Sequence, residues 1–178
     1  MIKVYYALIP SGASNLDFNN FSLEREAYVK SITNKKRFLQ SYYVWKLLLK
    51  VFNELNVDFS KGFSVENGKW ELNSKSPYFS LAHSENVVTL AISFDKEVGV
   101  DVQIIDDKIF RVKDRLGVFG DISKEDLTKK WTEREIKIKS ENSKYFTHEI
   151  ITDCVLNSYV LSVGAKDDFI PTFEKINI

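Results

Sequence analysis

Cysteine and histidine are scarce in this sequence, which contains only Cys154, His83 and His148. A single cysteine cannot form a disulfide within the chain, and unpaired thiols are typical of a reducing compartment. Zinc sites use about four Cys, His or acidic ligands at short regular spacings, and these scattered residues do not provide them. Cys154 stands in an apolar stretch, which predicts an unreactive buried thiol rather than a nucleophile.

Glycine-rich loops and long apolar runs are also missing. The seven glycines are scattered, so neither a Walker loop nor a dinucleotide-binding loop is present. The Gly-x-Ser-x-Gly turn of many serine hydrolases is absent as well. No apolar run approaches the roughly 18 residues of a membrane span, and residues 1–10 do not resemble a signal peptide. These absences predict a cytoplasmic protein with no membrane partner.

The charges balance, because 25 basic residues face 25 acidic ones. Binding to nucleic acid needs a basic excess over the domain or one face, so nucleic acid is not an expected partner. The basic residues Lys30, Lys35, Lys36 and Arg37 are interpreted as a solvated face. With 178 residues, 44% of them hydrophobic, the chain is long enough to bury a core.

The pattern of apolar residues predicts an α+β fold. Strands are expected where apolar residues alternate or form short runs, and helices where they recur at helical spacing behind a capping residue. The predicted order is a strand over 2–9, a helix from the cap Ser22 to about 31, a helix from 33 or 34 to 55, a hairpin over 63–72 with an Asn67-Gly68 step, strands over 78–82, 86–94 and 98–105, an irregular segment over 106–122, a helix from the cap Ser123 to about 142, and strands near 148–155, 158–165 and 169–177.

Asp101 is an isolated carboxylate in the apolar segment Val98–Ile105. Strand alternation places Val98, Val100 and Val102 on one face, with Gly99, Asp101 and Gln103 on the other. One interpretation is a half-exposed strand with polar residues in water. The other is a ligand site, because the missing side chain of Gly99 lets a ligand or another backbone approach.

Glu135 lies beside the predicted apolar stripe of Leu127, Trp131 and Ile138, and Lys139 follows it one turn later. The pair is interpreted either as an exposed Glu–Lys pair or as a half-buried carboxylate that faces a cleft. His83 and Ser84 end an apolar strand and Lys69 follows a glycine, so all three can meet an anion. Ordinary surface roles for them also stay open.

Four segments, in this order, resemble motifs of the 4′-phosphopantetheinyl transferases of the two-lobed, surfactin-synthetase-activating type. The segments are Gly68-Lys69-Trp70, Phe79–Ser84, Gly99–Gln103 and Trp131–Lys139, and the likeness covers roughly residues 35–165. The family patterns are Gly-Lys-Pro, Phe-Asn-Ile/Leu-Ser-His-Ser, Gly-Val/Ile-Asp-Val/Ile-Glu and Trp-x-x-Lys-Glu-x-x-x-Lys. These enzymes move phosphopantetheine from coenzyme A to a serine of an acyl or peptidyl carrier protein.

The resemblance implies two pseudo-symmetric α+β lobes, each a small antiparallel sheet packed with helices, with a ligand cleft between them. The lobes would be residues 1–96 and 97–178, which together form one monomeric transferase domain. Coenzyme A would bind in the cleft as co-substrate. Magnesium would be held by Asp101, Glu135 and the coenzyme diphosphate, with Gln103 at a third ligand position.

The resemblance also assigns roles to the other residues. Glu135 would bind the metal and help to deprotonate the carrier serine, and Lys139 would offset charge on, or protonate, the departing 3′,5′-ADP. Lys69, His83 and Ser84 would bind coenzyme phosphates.

The chain departs from the family pattern at several places. Gln103 replaces a carboxylate, and Ser80, Ala82, Trp70 and Arg134 also differ. The segment from Gln103 to Trp131 is short, and the glycine-rich stretch after the last lysine is absent. A non-catalytic relative that binds coenzyme A or a carrier protein, and an unrelated small α+β binding protein, therefore stay open as alternatives.

Overall fold

The computed structural model describes residues 1–12, 16–66, 68–153 and 155–178, and in these residues the fold is mixed α/β with three small sheets. The predicted elements are present, with bounds that differ by a few residues. Asn67 and Cys154, which carried the predicted turn step and the predicted buried thiol, lie outside the described residues. The elements are β1 Ile2–Leu8, α1 Leu23–Lys30, α2 Lys35–Glu54, β2 Phe63–Glu66, β3 Lys69–Leu72, β4 Tyr78–Ser84, β5 Val87–Ser93, β6 Val98–Ile104, α3 Lys124–Lys139, β7 Tyr145–Thr152, β8 Ser158–Ala165 and β9 Thr172–Lys175.

The starts of α1, α2 and α3 are set by capping side chains. Ser22 accepts a hydrogen bond from the amide of Arg25, and Ser123 does the same for Asp126. Asn34 caps α2 through the amide of Arg37. Each cap satisfies a backbone donor that the first turn leaves unpaired, so the helix starts predicted from Ser22, Asn34 and Ser123 are confirmed.

The first sheet has the strand order β4-β5-β1-β9 and is covered on one face by α1 and α2. Its central strand β5 is buried on both faces, which explains its nearly continuous apolar sequence. Strand β9 pairs with β1 in parallel, with Lys3 opposite Thr172. The expectation of purely antiparallel sheets is therefore wrong. After the third sheet the chain returns to the free edge of β1, and there it runs in the same direction as β1. The division into 1–96 and 97–178 stays a prediction.

The third sheet, with the order β6-β8-β7, packs on the other face of the first. Val98, Val100 and Val102 enter a core that includes Val4 and Ala91 of the first sheet. The alternation predicted for β6 is thus confirmed. Its opposite face, with Gly99 and Asp101, is turned toward α3. The layers are therefore α1 with α2, the first sheet, the third sheet and α3.

Two parts of the chain differ from the sequence prediction. The segment predicted to be irregular contains two 3₁₀ helices, Asp107–Val112 and Asp114–Leu116, the first capped by Asp106. Helix α3 ends at Lys139 rather than near 142, and β7 begins already at Tyr145. No helix in the described ranges is long and apolar enough to cross a membrane.

Candidate functional site

A pair of glycines sets how closely α3 approaches the third sheet. Gly99 of β6 and Gly164 of β8 are cross-strand partners. A Cβ on Gly99 would lie 2.8 Å from Ile136 Cγ2, and one on Gly164 would lie 2.7 Å from the same atom. The fully buried Ile136 of α3 therefore occupies the space that two side chains would fill. The sequence predicted that a ligand or another backbone could approach Gly99, and in the structure helix α3 makes this approach.

This close approach joins Asp101 of β6 to Lys139 of α3. Lys139 Nζ donates to Asp101 Oδ1 over 2.7 Å and to the carbonyl oxygen of Val100 over 2.9 Å. The side chains are 13% (Asp101) and 27% (Lys139) exposed, so water screens this ion pair only in part. Lys139 thus pairs with the strand carboxylate and not with Glu135, its neighbour one turn back.

Glu135 is half-buried and acts on the same carboxylate through its charge. Burial raises the pKa of Asp101 most strongly, Lys139 lowers it, and the negative charge of Glu135 raises it again, so that the pKa lies above its usual value. The charge of Glu135 therefore acts on Asp101, although the two carboxylates come from distant parts of the sequence. Of the two interpretations of Glu135, the half-buried carboxylate agrees with its burial.

The predicted apolar stripe of α3 is wrong at one position. Ile138 is 65% exposed, although it was expected beside Leu127 in the buried stripe. The buried side instead combines two large apolar residues with two small polar ones. Its members are Leu127, Thr128, Thr132 and Ile136.

Two serines of β4 fix the position of β6. Ser80 Oγ accepts a hydrogen bond from the amide of Val100, and Ser84 Oγ accepts one from the amide of Ile104, each over 3.1 Å. Both serines are buried. They link the first and third sheets on either side of Asp101. Ser84, predicted as a phosphate contact, makes this structural bond.

His83 lies at the mouth of a cavity of about 320 Å³ with Tyr28, Arg37 and Ser41 in its lining. Partial desolvation, followed by the positive charges of Lys139, Arg37 and Arg25, lowers the pKa of His83 to about 4. Arg37 and His83 line this polar cavity, while Arg25 and Lys139 act on His83 only through their charges. An anion that entered the cavity would offset the mutual repulsion of these charges.

Arg25 is a charged residue that the sequence interpretation overlooked. It is 3% exposed, and its Nη2 donates to the carbonyl and the hydroxyl oxygens of Ser41 over 2.7 and 2.8 Å. Its guanidinium packs on the rings of Trp45, Trp70 and Tyr28, and no carboxylate of the described residues forms an ion pair with it. The i,i+4 spacing of Arg25 and the buried Val29 was the available signal.

Lys69 lines a second cavity of about 480 Å³, which also contains Lys139 and Ile138. Lys69 Nζ lies 3.4 Å from Glu97 Oε1. Lys139 contributes to this cavity and also acts electrostatically on His83. Of the predicted residues, Lys69 and Lys139 line this cavity, His83 lines the other, and Ser84 is buried. Asp101, Glu135 and Gln103 line neither cavity, and Asp101 is connected to the second one through its bond with Lys139.

The oxygen atoms near Asp101 match the ligands that magnesium prefers. Asp101 and Glu135 provide carboxylates, and Gln103, two residues along the same strand face, has an amide oxygen. In the described ranges, no three His, Cys, Asp or Glu residues cluster as a metal site. The protein would therefore supply only a partial shell, which is normal for magnesium that is also held by substrate phosphates.

A pH titration of stability tests the position of His83. Between pH 6.5, its ordinary value, and about 4, the unfolded chain binds a proton that the folded chain excludes. Stability should therefore fall as the pH falls through this window, and His83→Gln should make the fall shallower. Thermal unfolding of both proteins across this range measures the difference. Parallel profiles would mean that neither desolvation nor the nearby cations lower the pKa of His83.

Comparison of the sequence with protein-family models and with curated proteins finds no match.

Proposed function

We propose that this protein is a magnesium-dependent 4′-phosphopantetheinyl transferase that uses coenzyme A and an acyl or peptidyl carrier protein. The observation that supports the proposal is the packing of α3 on β6, which pairs Lys139 with Asp101 and lets the charge of the half-buried Glu135 act on the same carboxylate. The order of the four motifs is consistent with it. The ligand cleft would lie between the lobes formed by residues 1–96 and 97–178.

The cationic cavity suits the phosphates of coenzyme A. Arg37, Ser41 and His83 line it, and Arg37 has no carboxylate ion pair in the described part of the chain. Arg25 lies behind the lining and donates to Ser41. Lys69, at the edge of the neighbouring cavity, would contribute another positive charge. These groups would hold the coenzyme so that its diphosphate reaches Asp101 and Glu135.

The reaction needs a base and a stabilised leaving group. The hydroxyl oxygen of the carrier serine forms a bond to the phosphorus next to the pantetheine, and the bond from that phosphorus to 3′,5′-ADP breaks. Glu135 would take the serine proton, and Lys139 would offset charge on the departing 3′,5′-ADP. Asp101, Glu135 and Gln103 would hold magnesium, which neutralises charge on the diphosphate when bound.

The function is tested by incubating the protein with coenzyme A, magnesium and a panel of apo carrier proteins, followed by mass spectrometry of each carrier. The expected result is the addition of one phosphopantetheine to at least one carrier, and its loss when magnesium is chelated. Heat-denatured protein is the control. If coenzyme A binds but no carrier gains mass, transfer is not the function.

A second candidate is a coenzyme A-binding relative without transferase activity. The ion pair of Lys139 with Asp101 favours it, since the ammonium already neutralises the strand carboxylate. Gln103 adds no charge at the third position. This candidate predicts that coenzyme A binds with equal affinity with and without magnesium, which calorimetry measures directly.

Gln103→Glu should retain or increase transferase activity, because it adds a carboxylate beside Asp101. Gln103→Leu, which removes the oxygen ligand at similar volume, is the matched control and should lower activity by about 10-fold or more. The activities are compared as a function of magnesium concentration. A severe loss in Gln103→Glu would mean that this strand face does not hold the metal.

A further inference from the structure

A chain of polar side chains connects α3 to the outer strands of the third sheet. His148 Nε2 lies 3.1 Å from Glu133 Oε1, and His148 Nδ1 lies 2.7 Å from Ser162 Oγ. Ser162 Oγ is in turn 2.6 Å from Thr132 Oγ1. Helix α3 is therefore held at two neighbouring residues, Thr132 and Glu133, by strands β7 and β8.

The set contains a serine, a histidine and a glutamate, but it is not arranged for nucleophilic catalysis. Ser162 is fully buried, and two side chains already occupy its hydroxyl oxygen. A substrate could reach it only by displacing α3. These hydrogen-bonded side chains are therefore a structural connection. Any effect on function would act through the other residues of α3, whose position the connection holds.

The connection reaches the candidate metal site in one row of residues. Asp101 of β6 is the cross-strand partner of Ser162 of β8, and Ser162 is the partner of His148 of β7. Partners in a ladder share a sheet face, so all three side chains point toward α3. Each of the three contacts a polar residue of the helix: Asp101 contacts Lys139, Ser162 contacts Thr132, and His148 contacts Glu133.

The chemistry of these four side chains determines which atom donates and which accepts in each hydrogen bond. The Glu133 carboxylate can only accept, so His148 Nε2 carries a proton and donates it. Thr132 Oγ1 donates to the carbonyl of Lys129 over 2.9 Å, which leaves it to accept from Ser162. Ser162 then accepts from His148 Nδ1, and all four bonds form together only when the ring carries both protons.

A ring without the Nδ1 proton loses one of these bonds. Ser162 must then donate to His148, and Thr132 must turn its proton from the Lys129 carbonyl to Ser162. The other charges near Glu133 are Lys130 and Lys137 of the same helix. The two bonds of His148 persist in either state, with Nε2 protonated in both.

We propose that His148 is a positioning residue that holds α3 at the rotation and height where Glu135 and Lys139 face Asp101. The consequence for catalysis rests on the proposed transferase function, whereas the structural consequence does not. The cavity proposed for the coenzyme phosphates is lined by α1, α2, residues 31–34 between them and β4, and not by α3, so His148 should affect the transfer step and not the affinity for coenzyme A.

The structural consequence is tested by hydrogen exchange of the α3 amides. His148→Phe removes both bonds at similar size, and exchange over residues 124–139 should accelerate about 10- to 100-fold. His148→Gln restores a donor to Glu133 and should recover part of the protection. Glu149→Gln, at an exposed position of the same strand, is the matched control and should exchange like the parent protein.

A second variant and a spectroscopic signature keep the test independent of core damage. Glu133→Ala changes a one-third-exposed helix residue and should accelerate exchange alone, with no further effect when combined with His148→Phe. In a His83→Gln background, ¹⁵N spectra should show the single remaining imidazole protonated at Nε2. An Nδ1–H tautomer, or additive effects of the two variants, would overturn the connection.

Transfer assays then test the catalytic consequence. His148→Phe should lower kcat by about 10-fold or more and leave KM for coenzyme A within about 2-fold, and His148→Gln should recover part of kcat. A raised KM with unchanged kcat would overturn the positioning role. If the parent protein modifies no carrier, the proposed function fails, while hydrogen exchange still decides whether His148 holds α3.

Discussion

Asp101→Asn and Glu135→Gln should each lower carrier modification by at least about 100-fold in kcat/KM while leaving coenzyme A bound. Each change keeps the size of the side chain and removes one of the two carboxylates, on β6 and α3, that are proposed to hold magnesium. A magnesium ion held by only two protein carboxylates loses half of its protein charge when one is neutralised. The measurement is carrier mass against time at several magnesium concentrations.

The magnesium dependence separates metal binding from other causes. In both variants, the concentration of magnesium needed for half-maximal rate should rise. Glu125→Gln, an exposed substitution on the same helix, is the control and should leave the rate unchanged within about 2-fold. A Glu135→Gln variant that retains most of its activity would contradict both roles given to Glu135, as metal ligand and as base.

The parts of the fold that could be predicted from the sequence are those that local chemistry determines. Ser22, Asn34 and Ser123 each cap a helix through a hydrogen bond a few residues away, so the helix starts were predictable. The alternation of β6 follows from the period of a strand and needs no knowledge of its neighbours. The parallel pairing of β9 with β1 depends on where the chain returns, which no local pattern records.

The candidate site was predictable in its residue types and not in its pairing. Asp101 and Glu135 stand out as polar residues beside apolar patterns. The partner of Lys139 could not be predicted, because the rotation of α3 depends on the space above Gly99 and Gly164, whose pairing only the fold creates. The same rotation exposes Ile138, which a helical period alone places in the stripe.

The glycine pair gives the second large effect, because Gly99→Ala should push α3 away from the sheet. The new Cβ would lie 2.8 Å from Ile136 Cγ2 and 3.3 Å from the carbonyl oxygen of Ile136. Overpacking of this kind costs about 1–3 kcal/mol of unfolding free energy. Since the displaced helix carries Glu135 and Lys139, transfer activity should fall more than stability alone explains.

A double-mutant cycle with Ile136→Ala decides whether this contact is the cause. Ile136→Ala alone should cost about 2–5 kcal/mol, because it empties a fully buried site. Combined with Gly99→Ala, the total cost should be smaller than the sum, since the alanine at 136 removes the clashing Cγ2. Gly164→Ala should be rescued less, because its Cβ would also meet the Phe146 ring at 2.8 Å. Chemical unfolding measures all five variants, and strict additivity for Gly99 would mean that α3 tolerates a side chain there.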